Sequence, residues 1–253
     1  FTKDNPWRPI ALPAAPEGDT TPIAQVVTRG EGQIQMILIP THNSDASMYD
    51  AFMERNAARY TMHAVTLPGM AGTPAPPAPL PADVTPWIDN DAAAVAQVIT
   101  DLGLTKPVVL GSGLGGIVAY QLAIAHPDLV GPIITLDAPP AVMISKEPIP
   151  LAQRRRMVDK ITRVQTENAT DEQWRTQLRL LANSIVVEEA RRGELLQMFL
   201  STPPTVGKEY LIEHFRVDLT DELPKIQSPV LAIGAVNNLG APRGLFPEDI
   251  KRS

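Results

Sequence analysis

Short apolar runs rich in β-branched residues come early in this chain, and apolar positions at helical spacing follow them. β-Branched, apolar runs at residues 24–29 and 34–39 are separated by Gly30-Glu31-Gly32 and predict two strands joined as a hairpin. Apolar positions at near-helical spacing predict a helix over 48–60, and a third strand is predicted at 61–66. The first part of the chain is therefore expected to contain three strands and a helix.

Strands and helices continue to alternate through the middle of the sequence. Prolines crowd residues 73–86 and predict an extended surface loop. A helix is predicted over 87–102, a short buried strand over 106–110, a helix over 117–126 and another strand over 131–136. Helices that connect successive strands indicate βαβ crossovers. We therefore predict an α/β fold with a mostly parallel central sheet flanked by helices.

Residues 145–222 show a helical pattern only. Apolar residues such as Trp174 recur there at helical spacing, and strand character returns at 229–233. A helical block that interrupts a β-rich body is typical of an inserted cap. We expect a core formed by residues 1–144 and 223–253, with a helical cap formed by 145–222.

Composition and charge exclude several classes of protein. The chain has 253 residues, of which 44% are hydrophobic and 20% are charged, as in globular domains. Its 22 Lys and Arg residues against 28 Asp and Glu residues give a net charge of -6, which disfavours binding to nucleic acid. It has no cysteine, so disulfides, thiolate metal sites and a cysteine nucleophile are excluded. Its apolar runs are much shorter than the roughly 20 residues of a membrane span, so we expect a soluble domain.

The first residues give an indication of the compartment. The sequence begins at Phe1, and residues 1–22 are polar and rich in proline, like the mature N-terminus of an exported protein. We expect an exported protein, with the cytoplasm as the alternative.

A glycine-rich turn lies between the strand predicted at 106–110 and the next helix. Gly111-Ser112-Gly113-Leu114-Gly115-Gly116 satisfies the G-x-G-x-x-G pattern of dinucleotide-binding turns. In a dinucleotide-binding fold this turn follows the first strand, whereas here several strands, a proline-rich loop and a helix precede it. The context therefore disfavours a nucleotide site.

The same turn resembles the nucleophile elbow of the α/β-hydrolase superfamily, in which small residues flank a nucleophile between a strand and a helix. The resemblance covers nearly the whole chain and implies a cap-containing hydrolase that uses no cofactor and no metal. Its further elements are the opening strands, the Leu67-Pro68-Gly69 loop, the Ala125-His126-Pro127 helix end, Asp137 after its strand, and the helical cap.

Gly113 occupies the nucleophile position that this resemblance assigns. Glycine has no side chain and cannot attack an acyl carbon, although it adopts a positive φ without strain. The neighbouring Ser112 is interpreted as a turn residue. We therefore expect no turnover by a serine-hydrolase mechanism.

The resemblance also assigns positions for the other catalytic groups. The usual acid position falls on Asn237, and Asp137 is the alternative acid at an earlier strand end. The family's histidine follows one more strand and helix, and we expect the sequence as given to lack that segment. Of the histidines present, His63 is interpreted as a core residue, His126 as a helix end and His214 as a cap residue.

An oxyanion hole is implied at the loop after the second strand. Backbone amides of Leu114 and of His42 or Asn43 are the expected donors. Pro40-Thr41 stands where the family has a His-Gly pair. The alternative interpretation, left open, is a turn whose polar side chains only cap the next helix.

The pocket between elbow and cap is expected to bind a small apolar or acyl ligand, with Tyr49, Met143 and Trp174 in its lining. The functions that follow differ in kind. The chain is a carboxylic ester or acyl hydrolase with an introduced change at residue 113, a non-catalytic ligand-binding or receptor-like module, or a cofactor-free lyase that uses His42. Fold alone does not choose between them.

Overall fold

The computed structural model describes residues 20–77, 85–142, 149–186 and 188–234. Within these ranges the chain forms one six-stranded sheet with helices on both faces. The strands are β1 (Gln25–Arg29), β2 (Ile34–Ile39), β3 (Tyr60–Thr66), β4 (Val108–Ser112), β5 (Ile133–Leu136) and β6 (Val230–Ile233). The helices are α1 (Asp50–Asn56), α2 (Pro86–Asp101), α3 (Leu114–Ala125), α4 (Leu151–Val158), α5 (Val164–Glu167), α6 (Asp171–Ile185), α7 (Glu189–Ser201) and α8 (Pro204–Arg216).

The sheet is parallel except at one edge. Its strand order is β1-β3-β2-β4-β5-β6, and only the β1–β3 pair is antiparallel. The predicted α/β class with a mostly parallel central sheet is confirmed.

The predicted hairpin between the first two strands is wrong. Both strands form, but β3 lies between them, antiparallel to β1 and parallel to β2. β2 pairs in parallel with β3 on one side and β4 on the other, so no edge of it is left for β1. The connecting glycines cross the start of β3 at close range: a Cβ on Gly30 would lie 2.0 Å from the carbonyl oxygen of Tyr60. The glycines serve this crossing and not a hairpin turn.

Alternate residues of the central strands supply two separate apolar cores. In β2, Ile37 and Ile39 belong to the core that includes α2 and α3, whereas Met36 and Leu38 belong to the core on the other face, next to α1. Successive side chains of a strand point to opposite faces, and both faces of β2 are covered by helices. This is why residues 36–39 of β2 are all apolar.

Five α-helices, α4 to α8, lie between β5 and β6 in the described part of the chain, and they are called the inserted helices below. The helical pattern predicted over this part of the chain is confirmed for its described residues, with a π-helical turn at Asp159–Arg163. Trp174, Leu178, Ala182 and Phe199 form their own apolar cluster. The division into a core and a cap at residues 145 and 222 remains a prediction.

None of the helices within the described ranges is long and apolar enough to cross a membrane.

Candidate functional site: the strand-to-helix elbow and the inserted helices

The turn between β4 and α3 is a sharp elbow with Gly113 at its apex. Gly113 has φ 51° and ψ -118°, and the first helical residue is Leu114. The flanking glycines allow strand and helix to cross closely: a Cβ on Gly111 would lie 2.2 Å from the carbonyl oxygen of Gly115, and one on Gly116 would lie 2.3 Å from the Cβ of Ala138. The small residues of the motif are therefore required by packing.

Thr41 lies directly against the apex of this elbow. A Cβ placed on Gly113 would be 2.3 Å from the hydroxyl oxygen of Thr41 and 3.4 Å from its Cβ. The space in which a side chain at position 113 would begin is thus occupied by a side chain from the loop after β2. The sequence placed Thr41 in this loop but carried no signal that its hydroxyl would reach the elbow.

His42 joins the same loop to the inserted helices. Its Nε2–H donates to the carbonyl oxygen of Gly207 in α8 at 2.7 Å, and its Nδ1 accepts from the side-chain amide of Asn43 at 3.2 Å. Because a carbonyl only accepts, the proton of the neutral ring is on Nε2. Burial lowers the pKa of His42 to about 4, so the ring is neutral near pH 7.

Asn43 fills the contact between this loop and α8. It is buried and has φ 57°, a conformation that asparagine tolerates better than most residues. Its side-chain oxygen has no hydrogen-bond partner among the described residues. A Cβ on Gly207 would lie 2.4 Å from that oxygen and 3.0 Å from the ring of Trp174, so only glycine fits there.

Trp174 belongs mainly to the inner face of the inserted helices. It is 2% exposed and packs with Leu178 and Phe199, and the edge of its ring meets His42 with 6.4 Å between ring centroids. Its indole N–H lacks a hydrogen-bond partner within the described part of the chain. Trp174 thus lies where the inserted helices meet the loop after β2, and its contact with a ligand remains a prediction.

His214, interpreted from the sequence as a cap residue, lies on the same helix as Gly207. It lies on α8, two turns after Gly207, where it is partly buried. Burial lowers its pKa to about 4, and its charge in turn contributes to the lowered pKa of His42. The seven-residue spacing from Gly207 places both residues on one face of α8, the helix whose Gly207 contacts the loop after β2.

Asp137 follows β5 beside the elbow. The Gly113 N–H donates to the carbonyl oxygen of Leu136 at 2.9 Å, and the Asp137 N–H donates to that of Ile233 at 2.7 Å. The Asp137 side chain is exposed, and its φ is 49°. Its role as an acid remains a prediction. The other two predicted site residues, Asn237 and Met143, lie outside the described residues.

Tyr49 lies on the opposite face of the sheet from α3. It is buried in the apolar core beside α1, and its hydroxyl donates to the carbonyl oxygen of Ile39 at 2.8 Å. This hydroxyl already has a protein partner, and a contact between Tyr49 and a ligand remains a prediction.

The loop after β2 was interpreted either as a helix cap or as part of an oxyanion hole, and its contacts bear on both interpretations. The Asp45 carboxylate accepts from the Ser47 N–H at 2.8 Å and caps the short helix Ala46–Tyr49, as the capping alternative predicts. His42 and Asn43 face α8 instead. Leu114 is the first residue of α3, so its N–H has no intrahelical partner and is available as a donor. The oxyanion hole of Leu114 with His42 or Asn43 remains a prediction.

The other histidines have structural roles. His63 is buried between the hydroxyl of Thr28, 2.8 Å from its Nδ1, and the side-chain oxygen of Gln35, 3.1 Å from its Nε2. His126 ends α3. Both interpretations made from the sequence are confirmed.

Two buried carboxyl groups, those of Glu213 and Asp91, connect α8 to α2. Glu213 accepts hydrogen bonds from the N–H groups of Trp87 and Ile88 at the start of α2, each at about 3 Å. Burial raises the pKa of Glu213 to about 7. The Tyr210 hydroxyl lies 2.9 Å from both the Pro68 carbonyl oxygen and an Asp91 carboxyl oxygen.

A hydroxyl has one hydrogen, so Tyr210 cannot donate fully to both of these oxygens. Burial raises the pKa of Asp91 well above its usual value. The Tyr210 hydroxyl hydrogen is therefore shared between the Pro68 carbonyl oxygen and the Asp91 carboxyl oxygen.

Comparisons with known proteins agree with this fold. A model of the alpha/beta hydrolase family matches residues 36–245. A hydrolase from Pseudomonas aeruginosa is 19% identical with a TM-score of 0.65, over 92% of this chain and 81% of that one. An enol-lactonase from Burkholderia xenovorans is 16% identical with a TM-score of 0.67, over 86% and 80% of the two chains. A thermophilic esterase from Thermogutta terrifontis is 20% identical with a TM-score of 0.60, over 90% and 79%.

At these identities the solved structures show a shared fold. The family model matches most of the sequence and includes the elbow, the loop after β2 and the inserted helices. The chain therefore belongs to the alpha/beta hydrolase family.

Proposed function

We propose that this chain binds a carboxylic ester or a related acyl compound at the elbow and does not hydrolyse it through a serine nucleophile. One observation carries the proposal: residue 113, at the apex of the elbow, is glycine, and the Thr41 hydroxyl occupies the space where a side chain would begin. The site keeps the shape of a hydrolase elbow while the attacking group is missing.

The contacts of His42 support binding over catalysis. A general base needs a free nitrogen lone pair within reach of the proton that it removes. The Nε2 of His42 carries a hydrogen and donates to Gly207, and its Nδ1 already accepts from Asn43. The same contacts argue against the lyase alternative, in which His42 would move a proton.

The acyl class of ligand is supported from two directions. The Leu114 N–H at the start of α3 can donate to a carbonyl or carboxylate oxygen. Among the similar structures, one is named an enol-lactonase and another an esterase, and both names refer to acyl–oxygen bonds.

A hydrolase whose nucleophile has been replaced is the second candidate. The apex residue holds φ 51° and ψ -118°, a strained conformation for any residue other than glycine. An elbow that had carried a serine would have this shape. This candidate predicts that Gly113→Ser restores labelling by a fluorophosphonate probe, whereas a binding module stays unlabelled.

The test has two parts. Wild-type protein is incubated with a fluorophosphonate, with Ser112→Ala as the control for labelling at the neighbouring serine, and we expect no label on either. Binding of ethyl butyrate, butyrate and hexanoate is followed by backbone-amide NMR, and we expect shifts at Leu114 and His42. Labelling of a pocket serine, or no binding by any of the three probes, overturns the proposal.

NMR also separates binding at the elbow from binding in an apolar cavity elsewhere in the fold. That cavity, of about 370 Å³, lies beside β6 and is lined by residues that include Tyr120, Leu223 and Val230. Shifts confined to these residues show binding away from the elbow and contradict the proposal.

A further inference from the structure

The face of α8 that meets α2 and the sheet carries three contact residues at three-residue spacing. The Gly207 carbonyl oxygen accepts from His42, Tyr210 contacts α2 and the loop after β3, and Glu213 contacts the start of α2. Residues three apart lie along one side of a helix. A movement of α8 at Tyr210 and Glu213 therefore also changes the contact between Gly207 and the loop after β2.

Asp91, Tyr210 and Glu213, called the acid cluster below, are fully buried where α2 and α8 pack together. Both Glu213 carboxyl oxygens accept from backbone N–H groups at the start of α2. Asp91 has less support: its Oδ1 lies 2.9 Å from the Tyr210 hydroxyl oxygen, and its Oδ2 has no hydrogen-bond partner among the described residues. Because a carboxylate without donors is far more costly to bury than a neutral carboxyl group, the cluster does not accommodate two negative charges.

Burial is the main reason that the acid cluster favours bound protons. It raises the pKa of Glu213 to about 7 and that of Asp91 well above its usual value, and the charge of Glu213 raises the pKa of Asp91 further. Glu209 adds to the rise at Glu213, whereas Arg216 opposes it. Tyr210 stays protonated, because burial raises the pKa of its hydroxyl well above the usual value.

Several charged groups on the elements that pack against α8 pair with one another. The ion pairs are Arg216–Asp159 at 3.4 Å, Arg163–Glu209 at 3.3 Å, Arg163–Glu167 at 2.8 Å and Arg154–Asp218 at 3.2 Å.

Other ionisable side chains lie on the same elements. These are Asp89 and Asp101 on α2, Tyr120 on α3, Arg155 and Arg156 on α4, and Lys208 and His214 on α8. Within the described part of the chain, Asp91 forms an ion pair with none of them.

We propose that the acid cluster is a pH-sensitive latch, which holds α8 on α2 while it is protonated and loosens α8 locally as the pH rises through neutrality. Groups that bind protons more tightly in the packed state than in the open state stabilise packing at low pH and lose this effect as the pH rises. Because Gly207 is on the same helix, loosening also separates His42 from its acceptor. The latch needs no ligand and is independent of the proposed function.

An introduced thiol reports such an opening without interference, because the sequence has no cysteine. Val206 on α8 is 7% exposed, and Val109 in the central strand β4 is 0% exposed. Val206→Cys and Val109→Cys proteins are labelled with a dithiodipyridine at about pH 5 and about pH 8, with and without low urea. Each rate is divided by the rate of the same protein fully unfolded at that pH, which removes the titration of the thiol.

A local opening of α8 should distinguish the two thiols. At about pH 8 the Val206→Cys thiol should react at least about tenfold faster than the Val109→Cys thiol. Its rate should barely depend on low urea, because a local opening exposes little surface. Equal rates with the same urea dependence would mean that α8 separates only in global unfolding, and would overturn the proposal.

Neutral variants isolate the acid cluster. Asp91→Asn and Glu213→Gln are each combined with Val206→Cys, and Asp101→Asn, at the exposed end of α2, is the matched control for the loss of one charge. The contributions of the histidines are common to all these proteins. From about pH 5 to about pH 8, the rate with the acid cluster intact should rise about tenfold relative to either neutral variant, and stay within about twofold of Asp101→Asn.

The remaining outcomes each decide the question. A rise relative to either neutral variant supports the latch, and where one of the two does not fold, the other decides. Ratios that stay constant or fall with pH for both variants show that the cluster does not control α8. A rise of the same size relative to Asp101→Asn would be an effect of net charge and would contradict the latch as well.

Discussion

The hydroxyl oxygen of Thr41 lies 2.3 Å from the point at which a Cβ atom on Gly113 would sit. The two residues follow neighbouring parallel strands, β2 and β4, and meet at the same edge of the sheet. Because one volume cannot hold both side chains, the identity of either residue constrains the other. The stability of the elbow should therefore depend on the pair.

Gly113→Ala is expected to destabilise the protein by about 2 kcal/mol, because it adds strain at a positive φ and a clash with Thr41. In a Thr41→Ala background the clash is relieved, and the cost should fall by about 1 kcal/mol. Thr41→Val is the matched control, since its branched side chain keeps the crowding. The free energies of unfolding in urea, measured for the single and double variants, give the coupling between positions 113 and 41 as a double-mutant cycle. Equal costs of Gly113→Ala in all three backgrounds would show that the residues are independent.

Gly207→Ala is expected to loosen the contact between α8 and the loop after β2. The added Cβ would lie 2.4 Å from the Asn43 side-chain oxygen and 3.0 Å from the Trp174 ring, so one of them must move. We expect a loss of about 1–3 kcal/mol in urea unfolding.

Gly193→Ala is the matched control for this substitution. Gly193 is exposed within α7, and nothing lies within 4 Å of its Cβ position. Alanine there should stabilise the protein by about 0.5–1 kcal/mol through helix propensity. A Gly207→Ala protein as stable as the wild type would contradict the packing described above.

His42 should make the protein less stable in acid. Its pKa is lowered to about 4 by burial, so the folded chain binds fewer protons than the unfolded chain between pH 4 and an ordinary value near 6.5. The stability contribution is fully present above pH 6.5 and is lost as the pH falls to 4, by about 2 kcal/mol after allowance for the ring's partial exposure.

His42→Gln is the variant that isolates this effect. Glutamine can still donate to the Gly207 carbonyl but does not titrate. The decline in unfolding free energy between pH 6.5 and 4 should be shallower by that amount, and His214→Gln should act in the same direction because its pKa is lowered to a similar value. An unchanged acid decline in His42→Gln would disprove the assignment.

Glu213 should act in the opposite direction. Burial raises its pKa from 4.5 to about 7, so the folded chain binds more protons than the unfolded chain between these values. Its stability contribution is present below pH 4.5 and is lost as the pH rises through 7, by about 3 kcal/mol.

The difference in unfolding free energy between wild type and Glu213→Gln removes the histidine contributions, which are common to both proteins. As the pH rises from 4.5 to 7, the wild type should lose stability relative to Glu213→Gln, because its buried carboxyl group becomes charged and the glutamine does not. A difference that stays constant or moves toward the wild type between pH 4.5 and 7 would rule out the raised pKa of Glu213.

Much of the fold follows from local sequence. The alternation of strands and helices, the glycines at the elbow, and the core position of His63 were all predicted from residue type and spacing, and the contacts confirm them. The pairing of the first two strands was not predicted correctly, because a hairpin and a crossover share the same local signals. Only the order of strands in the sheet distinguishes them.

The candidate site shows the same division. Sequence alone determined that an elbow exists, that glycine stands at its apex, and that a run of helices follows β5. Tertiary structure decided that Thr41 fills the space at the apex and that His42 binds Gly207, which is 165 residues away. The physical reason is range: backbone propensity and periodicity act over a few residues, whereas the site is made by side chains that meet only after the sheet and the inserted helices have packed.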